Sequence, residues 1–205
     1  MRLGVFGGSG LSRFKDLKVK HRQIVRTPYG EPSAPVVHGT FGDVEICFLP
    51  RHGAGHRLPP HKINYRANIW TMQEIGVDAI IGLATVGGIT CGPETLMIPD
   101  QVIDYTWGRE HTLYEGHLDS VTHIDFTQPY CSNMRRLLIE AAARAGIDVL
   151  DGGTYGATQG PRLETPAEID RLERDGADMV GMTAMPEAVL AAELGLEYAV
   201  IGLAV

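Results

Sequence analysis

A run of cationic and glycine residues follows a predicted strand at residues 44–49. It reads Arg51-His52-Gly53-Ala54-Gly55-His56, and His61 lies a little further on. The guanidinium of arginine is a planar fork of N–H donors that matches phosphate, and histidine adds a further donor. In α/β proteins, ligands bind where strands end. The run therefore indicates an anion site built on Arg51 and His52.

The same run allows two other interpretations. His52, His56 and His61 lie within ten residues of one another and could bind a metal ion. However, the run lacks the H-E-x-x-H pattern, and its glycines and prolines prevent the helix that would place His52 and His56 on one face. Ordinary surface histidines are the third possibility. The anion site is favoured, and no metal is predicted.

Hydroxyl residues follow three other predicted strands. Ser9 lies in Gly7-Gly8-Ser9-Gly10, Thr85 follows residues 79–84, and Thr183 follows residues 179–182. The glycine loop fits neither G-x-G-x-x-G nor a P-loop, so it indicates neither a dinucleotide nor a nucleoside triphosphate. Each loop alone is equally consistent with a simple turn. Because strand ends of a parallel-type sheet meet on one rim, we expect one small anion, inorganic phosphate, to be surrounded by Ser9, Arg51, His52, Thr85 and Thr183.

Apolar strand-like segments alternate with helical ones along the chain. This alternation predicts an α/β fold, with a mixed or mostly parallel central sheet flanked by helices, in a single domain over residues 1–205. Thr165, Pro166 and Glu168 predict a capped helix start. Strands are expected at 2–6, 44–49, 79–84, 102–105, 154–158, 179–182 and 198–205, and helices at 60–74, 133–145, from 166 onward and 187–194.

Composition excludes several classes of protein. Lysine and arginine number 18 against 25 aspartates and glutamates, a net charge of −7, which disfavours a nucleic-acid partner. No apolar run approaches the roughly 18 residues of a membrane span. The three cysteines are odd in number and far apart, which indicates a reducing compartment. A cytoplasmic protein without membrane partners is expected.

Longer motifs resemble those of the trimeric purine nucleoside phosphorylase and methylthioadenosine phosphorylase family. They occur in the family's order over nearly the whole chain. The resemblance implies a three-layer α/β/α fold and the cleavage of a purine nucleoside by phosphate. The matching residues are Gly7-Gly8-Ser9-Gly10-Leu11, Thr27-Pro28-Tyr29-Gly30, Arg51-His52-Gly53, Asn64-Tyr65-Arg66-Ala67-Asn68, Gly87-Gly88, Gln159-Gly160-Pro161-Arg162-Leu163-Glu164-Thr165 and Met182-Thr183-Ala184-Met185-Pro186-Glu187.

The resemblance also implies roles for individual residues. It adds Ala84 to the phosphate contacts, places Met182 against the ribose, and places Gln159 and Leu163 near the purine. Glu164 would contribute to the choice of base. His123 would reach the 5′ side of a neighbouring subunit's substrate.

The stretches 104–112 and 121–126 resemble the branch of the family that acts on 5′-methylthioinosine. Methylthioadenosine and inosine or guanosine are alternative substrates. The family pattern places the base-reading residue and a closing helix after Val205, so we expect the natural chain to continue. The resemblance implies a homotrimer, or a hexamer made of two trimers, with phosphate as co-substrate and no cofactor. A non-catalytic nucleoside-binding module and a histidine-dependent metallohydrolase remain the alternatives from other classes.

Overall fold

A mixed β-sheet organises the computed structural model, which describes residues 2–8, 16–115 and 121–205. Strand β5 is its centre, because it pairs in parallel with β1 and β11 and, at its far end, antiparallel with β10. The strands are β1 (Arg2–Gly7), β2 (Lys18–Gln23), β3 (Val36–Phe41), β4 (Val44–Pro50), β5 (Ala79–Gly88), β6 (Leu96–Ile98), β7 (Gln101–Asp104), β8 (Val149–Asp151), β9 (Thr154–Ala157), β10 (Met179–Gly181) and β11 (Glu197–Ala204). The helices are α1 (Tyr65–Glu74), α2 (Ser132–Ala145), α3 (Pro166–Arg174) and α4 (Ala184–Glu193).

Helices cover both faces of the sheet. In β5, Ile80 belongs to the main core with residues of α1 and α4, whereas Ala79 and Ile81 pack with Met134 of α2. Neighbouring side chains of a strand point to opposite faces. Helices α1 and α4 therefore lie on one face and α2 on the other, which confirms the predicted α/β fold with flanked sheet.

The differences from the predicted elements have local causes. Strand β2 was missed because all six of its residues are exposed and it carries no apolar alternation. Strand β3 was missed as well, and β6 and β8 have only three residues each. The helix expected over 60–74 is divided: Pro60–Lys62 forms a 3-10 turn, and α1 begins only after Asn64, whose side chain accepts a hydrogen bond from the Ala67 amide.

Helix α3 begins with the predicted capping box. The Thr165 side chain accepts a hydrogen bond from the Glu168 amide, and the Glu168 carboxylate accepts one from the Thr165 amide at 2.7 Å. Thr165→Ala removes the first of these bonds. We expect it to lower the free energy of unfolding by about 1 kcal/mol, measured by urea denaturation. An unchanged denaturation midpoint would show that the box does not stabilise α3.

The helices of the structure are short. None of those in the described ranges is both long enough and apolar enough to cross a bilayer.

Candidate active site

A cavity of about 650 Å³ opens where β1, β4, β5 and β10 end. Its wall combines the predicted phosphate contacts with most of the predicted nucleoside contacts. The predicted residues on it are Arg51, His52, Ala84, Thr85, Leu163, Glu164, Met182 and Thr183, and Gly8, His56, Arg57, Leu58 and Val205 are among the others. Residues more than a hundred positions apart in sequence therefore share one site.

Parallel pairing brings the phosphate side of the cavity together. Strand β1 lies between β4 and β5 and runs parallel to both, and the Arg51 amide donates to the Gly7 carbonyl at 3.1 Å. Thr85 was expected just past the end of its strand. It lies inside β5 instead, because pairing with β11 continues through Val86. Thr85 is nevertheless exposed to the cavity mouth, whereas Thr183 is buried at the start of α4. The expected parallel rim is wrong for Thr183, because β10 runs antiparallel to β5 and delivers Thr183 to the cavity from the opposite direction.

Arg51 is buried and its guanidinium is held by three hydrogen bonds. Its Nε and Nη2 donate to the two carboxylate oxygens of Glu187 at 2.6 and 2.8 Å, and Nη1 donates to the Leu83 carbonyl at 2.6 Å. Both side chains of the ion pair are almost inaccessible to solvent. Burial by itself would lower the Arg51 pKa. The charge and the hydrogen bonds of the Glu187 carboxylate have a larger effect in the other direction, so the Arg51 pKa is raised. The cation is therefore permanent and already paired.

His52 is a neutral side chain near pH 7. Burial lowers its pKa below the usual 6.5, against a smaller opposing effect of its hydrogen bond to Leu58. Nδ1 lies 2.9 Å from the Leu58 carbonyl, which can only accept, so Nδ1 carries the proton. The ring stacks on that of His56 at 4.1 Å between centroids.

The metal interpretation of this run is not supported by the arrangement of its histidines. Within the described ranges, no group of three or more His, Cys, Asp or Glu side chains is placed to hold a metal ion. His52, His56 and His61 therefore do not form the ligand set considered above.

The nucleoside side of the cavity is formed by two loops. Met182 follows β10, and Leu163 and Glu164 lie between β9 and α3. The Thr158 hydroxyl donates to Glu164 Oε1 at 2.6 Å and fixes the direction of that carboxylate. The loop that was expected to face the purine thus does reach this cavity.

Two predicted site residues do not line this cavity. Gln159 lines a neighbouring cavity of about 430 Å³ together with Trp107, and its amide bonds to both the N–H and the carbonyl of Trp107. His123 is exposed and lines neither of these two cavities. Ser9 lies outside the described residues. The roles of these three side chains stay predictions.

Arg109 is a buried residue of the site that was not predicted from the sequence. Its guanidinium donates to the carbonyls of Thr158 and Gln159 at 3.1 and 2.8 Å, and to those of Met182 and Met185 at 2.8 and 2.6 Å. One side chain therefore ties together the two loops that form the nucleoside side of the cavity. Its place within the stretch 104–112 was the available signal, but nothing in that stretch identifies its partners.

Two histidines make the stability of the fold depend on pH. Burial is the main cause that lowers the pKa values of His38 and His52, and the neighbouring His21 lowers that of His38 further. The unfolded chain thus binds protons at a higher pH than the folded one. We expect the free energy of unfolding to fall as the pH drops below about 6.5.

Urea denaturation between about pH 7.5 and 5.5 measures this dependence. His38→Gln removes one of the two titrating groups, so its midpoint should shift less with pH than that of the wild type. An equal shift in the two proteins would exclude His38 as a source of the effect.

Comparisons with known proteins agree with this geometry. A family model described as the phosphorylase superfamily matches residues 2–204. A probable S-methyl-5′-thioinosine phosphorylase of Xanthomonas campestris is 52% identical over 203 residues, which cover 98% of this chain and 81% of that protein. The 6-oxopurine nucleoside phosphorylase of Pyrococcus furiosus is 46% identical over 209 residues, which cover 98% and 78%.

Solved structures show the same fold. The methylthioadenosine phosphorylase of Schistosoma mansoni in its apo form has a TM-score of 0.94 and 34% identity, and the match covers 100% of this chain and 80% of that one. The same enzyme in complex with tubercidin also has a TM-score of 0.94. The match over residues 2–204 and these identities confirm the resemblance predicted from the motifs, and the chain belongs to the phosphorylase superfamily.

Proposed function

We propose that this enzyme cleaves S-methyl-5′-thioinosine with inorganic phosphate, giving hypoxanthine and 5-methylthioribose 1-phosphate. The reaction class, transfer of a ribosyl group from a purine to phosphate, is that of its family. One observation carries the proposal: a single cavity combines a buried arginine and two threonine hydroxyls with an apolar and acidic wall. An anion and a nucleoside can therefore bind side by side.

Phosphate binds at the strand ends in this proposal. Arg51 supplies N–H donors, Thr85 and Thr183 orient oxygens, and Ala84 offers its backbone. His52 is neutral and its Nδ1–H donates a hydrogen bond to the Leu58 carbonyl, so its Nε2 is an acceptor and takes a hydrogen bond from the protonated oxygen of phosphate, instead of acting as the further donor expected from the sequence. Ser9 completes the set through its hydroxyl. The phosphate-contacting residues are Ser9, Arg51, His52, Ala84, Thr85 and Thr183, and the catalytic ones among them are Arg51 and His52.

Catalysis then rests on position and charge. The C1′–N9 bond breaks with its electron pair leaving on the purine, and an oxygen of HPO4²⁻ forms the new bond to C1′. The purine takes up one proton and the phosphate loses one, so neutral hypoxanthine and the sugar 1-phosphate dianion are formed. The transition state resembles an oxocarbenium ion, as in glycoside cleavage. The phosphate held beside the sugar stabilises that positive charge and is also the nucleophile. The reaction needs no covalent enzyme intermediate, metal or other cofactor.

The nucleoside lies against the other wall. Met182 packs on the ribose, and the apolar side chains of Met182 and Leu163, which line the cavity, surround the methylthio group. Met185 is buried and does not line the cavity. Glu164, whose carboxylate is held by Thr158, reads the purine. Gln159 acts indirectly, by supporting the loop through Trp107 and Arg109.

The choice of substrate is supported by the relatives. Proteins named as probable S-methyl-5′-thioinosine phosphorylases are 52% and 49% identical to this chain, and the 6-oxopurine nucleoside phosphorylase of Pyrococcus furiosus is 46% identical. The methylthioadenosine phosphorylase of Schistosoma mansoni is 34% identical. Both of the nearer groups favour a 6-oxo base, and the first adds the methylthio group.

A panel of three nucleosides tests this choice. The full chain is supplied with phosphate and with methylthioinosine, methylthioadenosine or inosine in turn, and the released base is quantified. We expect the highest kcat/KM with methylthioinosine. A higher value with methylthioadenosine or inosine would reassign the substrate within the same reaction class.

The proposal includes an assembly and a location. The subunits form a homotrimer, or a hexamer of two trimers, in which His123 of one subunit approaches the 5′ side of its neighbour's substrate. The enzyme works in the cytoplasm. Its partners are the purine nucleoside and phosphate, and neither nucleic acid nor a membrane takes part.

A further inference from the structure

The carboxylate of Glu187 is fully buried and faces Arg51. Glu187 follows Pro186, where the regular part of α4 begins, and it is not among the residues lining the cavity. Its two oxygens accept from Nε and Nη2 of Arg51 at 2.6 and 2.8 Å, an arrangement that fixes both the place and the plane of the guanidinium. Glu187 is not one of the residues proposed to contact phosphate or the nucleoside.

Tyr198 holds the carboxylate in turn. Its hydroxyl, on β11, donates to Glu187 Oε2 at 2.7 Å. Burial, and then the charge of Glu187, raise the Tyr198 pKa well above its usual 10.0, so this hydroxyl stays protonated and remains a donor. Gly82 provides the space for it, since a Cβ there would lie 2.4 Å from the Tyr198 hydroxyl oxygen.

The three hydrogen bonds of Arg51 use only part of its N–H groups. A guanidinium has five N–H groups. Glu187 takes one from Nε and one from Nη2, and the Leu83 carbonyl takes one from Nη1 at 2.6 Å. One N–H on each terminal nitrogen remains, and Arg51 lines the cavity. Rotation of the guanidinium would break all three anchoring bonds.

We propose that Glu187 and Tyr198 are positioning residues for phosphate, which hold Arg51 so that one N–H of each terminal nitrogen points to the anion. This inference rests on the proposed function, because it assumes that Arg51 binds phosphate. The pair of Arg51 and Glu187 is neutral as a whole. An unpaired arginine would compensate part of the negative charge of the phosphate. The neutral ion pair compensates less of it, so more of that charge remains to stabilise the positive charge on the sugar in the transition state.

Two variants of different severity test the inference. Glu187→Asp keeps the charge but withdraws the carboxylate by one methylene, so it cannot hold both nitrogens of Arg51 in place. Misplacement by about 1 Å costs roughly 100-fold in such sites, and we expect the KM for phosphate to rise by about 10- to 100-fold. Tyr198→Phe removes one hydroxyl with no change of charge, and the KM for phosphate should rise by about 5-fold.

The KM for the nucleoside is the readout that separates positioning from general damage. It should stay within about twofold of the wild-type value in both variants. Glu193→Asp is the matched control, because Glu193 is also on α4 and accepts two hydrogen bonds, from Thr112 and Leu113, but does not line the cavity. It should change neither KM.

The outcomes separate this inference from the proposed function. If the wild type is active and Tyr198→Phe leaves the KM for phosphate unchanged, the positioning role is wrong and the proposed function stands. The same conclusion follows if Tyr198→Phe raises the KM for phosphate and the KM for the nucleoside equally. If the wild type has no phosphorolysis, the proposed function fails. The rise in melting temperature caused by inorganic phosphate then decides: a smaller rise in Tyr198→Phe supports positioning, and an equal or absent rise overturns it.

Discussion

Replacing Arg51 by lysine should lower kcat/KM for phosphate by roughly 100- to 1000-fold while the protein stays folded. The ammonium group keeps a positive charge beside buried Glu187, so the ion pair survives. It has only three N–H groups on one atom, however, so it cannot replace the three hydrogen bonds of Arg51 to Glu187 and Leu83 and still present two N–H groups to the anion. Steady-state kinetics with varied phosphate measures the loss, and a thermal melt checks the fold.

Arg51→Ala serves as the comparison for this variant. It leaves the Glu187 carboxylate buried without its cation, which typically costs about 3–5 kcal/mol. We therefore expect Arg51→Ala to unfold at a much lower denaturant concentration than Arg51→Lys. A folded Arg51→Lys enzyme with phosphate kinetics within threefold of the wild type would remove Arg51 from the phosphate site.

Replacing Arg109 by methionine should lower the stability of the fold markedly. Four carbonyls, of Thr158, Gln159, Met182 and Met185, would lose their shared donor. Unsatisfied buried acceptors cost about 1–3 kcal/mol each, and partial access of water reduces the sum. We expect the free energy of unfolding to fall by about 3 kcal/mol in urea denaturation.

The position of Arg109 predicts a kinetic effect as well. Without it the loops of Gln159 and Met182 are no longer tied, so the KM for the nucleoside should rise more than the KM for phosphate. Arg136→Met is the control, because Arg136 is an exposed arginine of α2 that pairs with Glu140 and Asn133 on its own helix. Arg136→Met should change the stability little. If Arg109→Met lowered the free energy of unfolding by no more than Arg136→Met does, Arg109 would not be what holds the two loops together.

The elements that carry strong local signals could be predicted from the sequence. The buried strands β1, β4 and β5 are apolar runs, and the capping box of α3 is a four-residue pattern. Strand β2 has no such signal, because all six of its residues are exposed, and it lies at the end of the strand order with β3 as its neighbour. Edge strands of this kind are fixed by tertiary structure.

The residues of the site also fall into two groups, those with a local signal in the sequence and those without one. Arg51 follows strand β4 and Thr85 lies in β5, and both strands run parallel to β1, so the topology of a parallel-type sheet was enough to group these two. Thr183 joins them for another reason, because β10 runs antiparallel to the far end of β5. Glu187 and Arg109 could not be found, because their roles depend on partners 136 and about 50 to 75 positions away in sequence, which only the packed structure brings together. Gln159 shows the reverse case: its motif is visible in the sequence, but the loop turns its side chain toward Trp107.

Phosphate dependence of base release is the measurement closest to the central claim. The full chain is incubated with methylthioinosine in buffer with and without inorganic phosphate, and hypoxanthine and the sugar product are quantified together. We expect hypoxanthine only when phosphate is present, with one methylthioribose 1-phosphate formed for each base released. Base release at the same rate without phosphate, giving free methylthioribose, would contradict a phosphate site at Arg51.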